Sequence, residues 1–139
     1  MTHATYRMSA IARLAVSMVA TMLSACGYDG PKLDTAELKA EIATMGDRLL
    51  VLDVRSRSQF EKSHIDGARN IPLEDLPAVK SEIARIGRKT AVICTCGRRS
   101  LEAVRILSEA GVAAILVEGG MTAWEAAGYP TVASKDEGR

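Results

Sequence analysis

Aromatic side chains are scarce. One Phe, one Trp and three Tyr make up 4% of the 139 residues, too few to build a stacking platform for bases. An excess of charge is missing as well. Eighteen basic and 17 acidic side chains leave a formal net charge of +1, which excludes the basic footprint of a nucleic-acid binder. Cysteine is limited to three residues and histidine to two, His3 and His64. Three cysteines, two of them one residue apart, do not make a structural disulfide framework. Cys94 and Cys96 with a single distant His64 fall a ligand short of a zinc site. The Cys-x-x-Cys spacing of a dithiol redox pair is absent. A cysteine–histidine hydrolase would have to recruit His64, and no orienting partner is evident. No metal or other cofactor is therefore expected. No internal repeat or low-complexity tract appears, and the length suits one domain with one core.

What is present begins with a distinct N-terminal segment. "MTHATYRMSAIAR" carries Arg7 and Arg13 and no acid. A short uncharged run, "LAVSMVATML", follows and falls well short of the roughly 20 residues needed to span a bilayer. A basic start, a short apolar run and small residues before a cut site describe a secretory signal. Its end, Leu23-Ser24-Ala25-Cys26, resembles the lipobox of bacterial lipoproteins. That resemblance implies a signal peptide over 1–25, lipid on the Cys26 thiol and a tether over 26–32. It implies a protein anchored in the bacterial cell envelope and facing the periplasm. Gly27 in place of Asp favours the outer membrane if the cell is Gram-negative. Removing 1–25 leaves 16 basic and 17 acidic side chains and makes His64 the sole histidine.

The mature chain alternates strand and helix signals. Asp34 with Glu37 three residues on reads as a capping box for a helix that ends at Gly46. "LLVLDV" is an apolar run of strand length, suited to a parallel sheet buried on both faces. A short helix is predicted over "SRSQFEKS", then a turn at Asp66-Gly67 and a short strand. Pro77 and Gly87 bracket a second long helix. "TAVIC" is the next buried strand and stops at Cys94. "RSLEAVRILSEAG" is a helix closed by Gly111, "AAILVEGG" a strand with its turn, and "MTAWEAAG" a last short helix. Residues 132–139 read as a polar tail. Alternation of this kind predicts an α/β domain with a mainly parallel sheet, whose ligands sit at the carboxyl ends of the strands.

Cys94 occupies such an end, just before a helix. The loop Cys94-Thr95-Cys96-Gly97-Arg98-Arg99-Ser100 can curl so that its amides point inward. A nest of this type, with a helix N-terminus behind it, favours an anion. Gly97 permits backbone conformations that other residues resist. The anion could be the Cys94 thiolate, the reactive form of the side chain, a persulfide on it, or a bound oxyanion.

Three segments then carry a family resemblance. "LVLDVRSRSQFEKSHIDGARNIP" contains Asp53-x-Arg55 and the run from His64 to Ala68. "CTCGRRS" is the loop just described. "LVEGGMTAWEAAGYP" contains Gly119, Gly120 and Trp124. In this order, over about residues 33–131, they resemble a single rhodanese domain. The resemblance implies a rhodanese-like fold, a mainly parallel five-stranded sheet with helices on both faces. It implies a sulfurtransferase in which Cys94 is the nucleophile and Thr95 to Ser100 form the substrate-binding loop. Its partners would be a small sulfur-containing anion such as thiosulfate, or a persulfide, as donor and a thiophilic small molecule, thiol or protein as acceptor. The membrane would be reached through lipid on Cys26, and no nucleic acid is involved.

Thr95 stands where many relatives have Arg, so donor preference stays open. Cys96 is unusual in this loop and reads either as a second, resolving thiol or as a small filler. Asp53, Arg55 and His64 read as structural support rather than catalytic groups, because buried charges need partners. Arg99 is expected in a salt bridge that orders the loop, while Arg98 is either a steering or a solvated charge. Two other functions stand beside sulfur transfer. One is a non-catalytic binding module of the envelope, which the presence of Cys94 disfavours. The other is a rhodanese-related phosphatase or arsenate reductase, whose loop is one residue longer than the four residues between Cys94 and Arg99.

Overall fold

The structure is a computed structural model that describes residues 27–135. The signal peptide expected over 1–25, the lipid expected on Cys26 and the last residues of the tail, 136–139, lie outside the described residues.

Five parallel strands form one sheet. They are β1 (Lys32–Leu33), β2 (Leu49–Asp53), β3 (Arg69–Asn70), β4 (Lys89–Ile93) and β5 (Ala114–Val117), in the spatial order β1-β5-β4-β2-β3. The α-helices are α1 (Thr35–Met45), α2 (Arg57–Lys62), α3 (Leu76–Ile86) and α4 (Arg98–Glu109) between strands, and α5 (Gly120–Ala126) after β5. Each pairing is parallel, so all strands deliver their carboxyl ends to the same edge of the sheet, where such folds bind ligands.

Local chemistry explains the boundaries. Asp34 Oδ1 accepts the Glu37 amide at 2.8 Å and Glu37 Oε2 accepts the Asp34 amide at 2.9 Å. That closes the expected capping box, and α1 stops at Gly46 with φ +50°. Pro77 sits in the first turn of α3, and Gly87 ends it in the left-handed region.

The central strands are buried on both faces, as their unbroken apolar runs require. Leu50, Leu52, Val92 and Leu116 pack with Ile83, Val104 and Leu107, on the side of α3 and α4. Leu49, Val51, Ala91, Ile93 and Val117 pack with Leu38, Met121 and Trp124, on the side of α1 and α5. The period-two alternation of β2 therefore feeds two cores.

Two stretches differ from the sequence reading. Lys32, at the end of the expected tether, begins β1 and pairs with Leu116, and Tyr28 packs against the α3–α4 core. At the other end, Val132 exchanges two 2.9 Å backbone bonds with His64, and the Ser134 amide donates to the Glu61 carbonyl at 2.9 Å. Both are edge additions made by two or three residues, too short to carry a periodic signal. Among the described residues no helix is long and apolar enough to cross a membrane.

Candidate active site

β4 ends at Ile93, between β2 and β5, and the chain turns at Cys94 into the loop that opens α4. Cys94 is only 1% exposed and belongs to the α3–α4 core. The Gly97 amide donates to its sulfur at 3.0 Å. Gly97 reaches that position with φ +102°, a conformation that an L side chain resists, and it precedes α4 with no side-chain cap. In the first turn of α4 the Leu101 amide donates to the Gly97 carbonyl at 3.3 Å. Those of Arg98, Arg99 and Ser100 have no acceptor among the described residues.

A second element braces the loop. The Met121 amide donates to the Cys94 carbonyl at 2.8 Å and the Thr122 amide to the Thr95 carbonyl at 3.0 Å. Since the peptides are trans, the Thr95 and Cys96 amides point the opposite way, away from α5. Gly120 makes this docking possible. A Cβ there would collide with the Cys94 carbonyl oxygen and lie 2.6 Å from that of Thr95. Gly119 and Gly120 both belong to the third family-like segment, but the work of Gly120 as the seat of the loop is a contact between distant segments, while a Cβ on Gly119 would meet Ala123 of its own helix.

Gln59, Cys94, Thr95, Cys96, Arg98 and Arg99 line a pocket of about 220 Å³. Gln59 was missed by the sequence reading, because it arrives from α2 and nothing local in "RSQFEK" marks it. Cys96 is a free, exposed thiol and Cys94 a free, buried one. The salt bridge expected for Arg99 is absent. Neither Arg98 nor Arg99 has an ion-pair partner among the described residues. The first turn of α4 holds no acid that could supply one. Two exposed guanidiniums thus stand at a positive helix end, an arrangement that a bound anion relieves. Ser100 is fully buried, and its hydroxyl oxygen has no hydrogen-bond partner among the described residues.

Asp53, Arg55 and His64 do not line this pocket. Asp53 and Arg55 are both buried and satisfy one another. Arg55 Nη2 lies 2.7 Å from Asp53 Oδ2, Arg55 Nε 3.0 Å from Oδ1, and the Arg55 amide also donates to Oδ1 at 3.0 Å. The remaining Nη2 bond goes to the Ser63 carbonyl at 2.6 Å. His64 stacks on Phe60 with ring centroids 3.7 Å apart, and its Nδ1 donates to the Phe60 carbonyl at 2.7 Å. A larger cleft of about 570 Å³ beside α2 and β3 contains no thiol, and its two arginines are paired, Arg57 with Glu61 and Arg69 with Glu82.

The Cys94 sulfur thus sits in a strand-to-helix loop, held by a backbone amide, in a pocket also lined by two guanidiniums that have no ion-pair partner among the described residues. The model of the rhodanese-like domain matches residues 34–127, and the chain belongs to that family. It is 32% identical over 103 residues to a sulfurtransferase of Allochromatium vinosum, a match that covers 73% of this chain and 94% of that protein. It is 37% identical over 91 residues to the protein slr1261 of Synechocystis sp., covering 65% of this chain. The chain spans 50% of that relative and 26% of another curated relative it matches. Among solved structures, the rhodanese-like domain of the Anabaena sp. protein Alr3790 superposes with a TM-score of 0.68 at 31% identity. That superposition covers 78% of this chain and 83% of the domain.

Proposed function

We propose that this protein is a sulfurtransferase that carries a sulfane sulfur on Cys94. The observation that carries this reading is the Cys94 sulfur, bonded to the Gly97 amide at 3.0 Å in a pocket also lined by Arg98 and Arg99, neither of which has an ion-pair partner among the described residues. The name of the Allochromatium relative supports the reaction class. Thiosulfate fits as donor. It is small and doubly charged, and it meets two guanidiniums and the free amides of the first turn of α4.

The Cys94 thiolate attacks the outer sulfur, the sulfur–sulfur bond breaks, and sulfite leaves with the electron pair. Cys94 is left as a persulfide. In the second half-reaction a small nucleophile such as cyanide, or a thiol, attacks the outer sulfur and Cys94 thiolate leaves. Gly97 N–H supports the charge on Cys94 Sγ before and after each transfer.

The test is intact mass after incubation with thiosulfate. The protein should gain one sulfur, removed by cyanide, and Cys94→Ser should gain none while keeping its circular dichroism and melting curve. No gain with thiosulfate or with a small persulfide donor overturns the reading.

We further propose that lipid on Cys26 anchors the protein at the periplasmic face of the cell envelope. The lipobox-like Leu23–Cys26 run supports this. Cys26→Ser should leave the membrane fraction and lose metabolic lipid label; a wild-type protein that never takes the label rules the anchor out.

A further inference from the structure

The two thiols of the loop line one pocket and differ in reach. Cys94 is 1% exposed, its sulfur bonded to Gly97 and the side chain packed in the α3–α4 core. Cys96 is exposed, and both line the same cavity of about 220 Å³. A small anion can enter such a space. A thiol mounted on a folded protein cannot follow it to a sulfur covered on nearly every side.

We propose that Cys96 takes the sulfane sulfur from Cys94 and presents it at the pocket rim to acceptor thiols of other proteins. The proposal rests on the Cys94 persulfide put forward above. The core packs the rest of the Cys94 side chain, so the outer sulfur of a persulfide extends into the pocket. Cys96 stands on that same side. Displacement at sulfur needs the nucleophile opposite the leaving group. From the pocket, the Cys96 thiolate can align with the outer sulfur and Cys94 Sγ behind it. Attack on Cys94 Sγ itself would have to come from the core side, where Cys96 is not. It would also close a short, strained disulfide ring across a single intervening residue.

The step balances without an external reagent. The Cys96 thiolate attacks the outer sulfur of the protonated Cys94 persulfide, and a bond forms between Cys96 Sγ and that sulfur. The bond to Cys94 Sγ breaks, and its electron pair returns to Cys94 Sγ, facing the Gly97 amide. The proton stays on the transferred sulfur, and nothing is oxidised or reduced overall. Arg98 and Arg99, without ion-pair partners among the described residues, line the same pocket as both thiols.

The experiment loads the protein with thiosulfate, traps it with iodoacetamide and maps the extra sulfur within the peptide that holds both cysteines. In parallel, transfer to cyanide and to a thiol fixed on agarose beads is timed. In the wild type, sulfur should appear on Cys96 as well as Cys94, and in Cys94→Ser on neither. Cys96→Ser and Cys96→Ala should each lower the ratio of bead-thiol transfer to cyanide transfer by about tenfold. Sulfur confined to Cys94, with that ratio unchanged in both variants, overturns the relay and leaves the Cys94 persulfide standing. Sulfide release with a Cys94–Cys96 disulfide overturns it too, by showing attack on Cys94 Sγ. Sulfur on Cys96 of Cys94→Ser overturns the order of transfer. Sulfur on neither wild-type cysteine overturns the sulfurtransferase reading itself.

Discussion

Asp53 closes β2 and Cys94 follows the end of β4; Asp53 and Ile93 are partners across the sheet. These neighbouring strand ends treat charge in opposite ways. The Asp53–Arg55 pair is buried and closed, with carboxylate and guanidinium bonded to each other, to an amide and to the Ser63 carbonyl. Asn70 ties the same corner down by donating to the Asp53 and Arg55 carbonyls at 3.0 Å each. The Cys94 loop lines a pocket, and among the described residues its arginines have no ion-pair partner and the amides of Arg98, Arg99 and Ser100 no acceptor. The difference follows from burial. A charge removed from water has to be paired inside the protein, or folding bears the desolvation. A charge at a pocket rim is satisfied by water and stays available for a ligand. One corner holds the sheet edge rigid so that the other can remain open.

The contrast is broken most forcefully at Arg55. Arg55→Met strands the Asp53 carboxylate in the interior and should cost about 3–5 kcal/mol of stability, read from urea unfolding. A loss below about 1 kcal/mol would rank the pair with surface ion pairs and erase the distinction. Gly120→Ala comes next. The added methyl meets the carbonyl oxygens of Cys94 and Thr95 at a residue with φ +57°. It should lower stability by about 1–3 kcal/mol and slow sulfur loading by about tenfold, because the loop must shift to make room. Loading at the wild-type rate would show that α5 braces the fold without setting the loop. The smallest effect belongs to the open charges. Arg98→Ala and Arg99→Ala should change stability by less than about 0.5 kcal/mol, while raising the KM for thiosulfate by about threefold to tenfold. The rise should shrink as salt is added, since exposed charges are screened. A KM effect equal at low and high salt would mean that these residues act through packing, not charge.

Much of this was legible in the sequence because the signals are local. The capping box of α1, the glycine stops, the unbroken apolar strands and the thiol placed between strand and helix each lie within a few residues. The fold class and the family follow from that order of segments. Gln59, the brace from α5 and the strand at Lys32–Leu33 were not legible, because each depends on a contact between segments far apart in the chain. The salt bridge expected for Arg99 fails for the same reason: an ion pair needs an acid brought near by tertiary structure, and among the described residues none pairs with it.

The sequence by itself therefore determined that an α/β domain carries a cysteine loop at a strand end, because hydrophobic period and turn residues act over short distances. Only the tertiary structure decided which charges are consumed and which stay free. It buried Asp53 with Arg55, left Arg98 and Arg99 at the pocket, and sank Cys94 beneath the exposed Cys96. Burial sets whether a polar group must find a partner inside the protein, and burial is a property of the packed whole that no single stretch of residues contains.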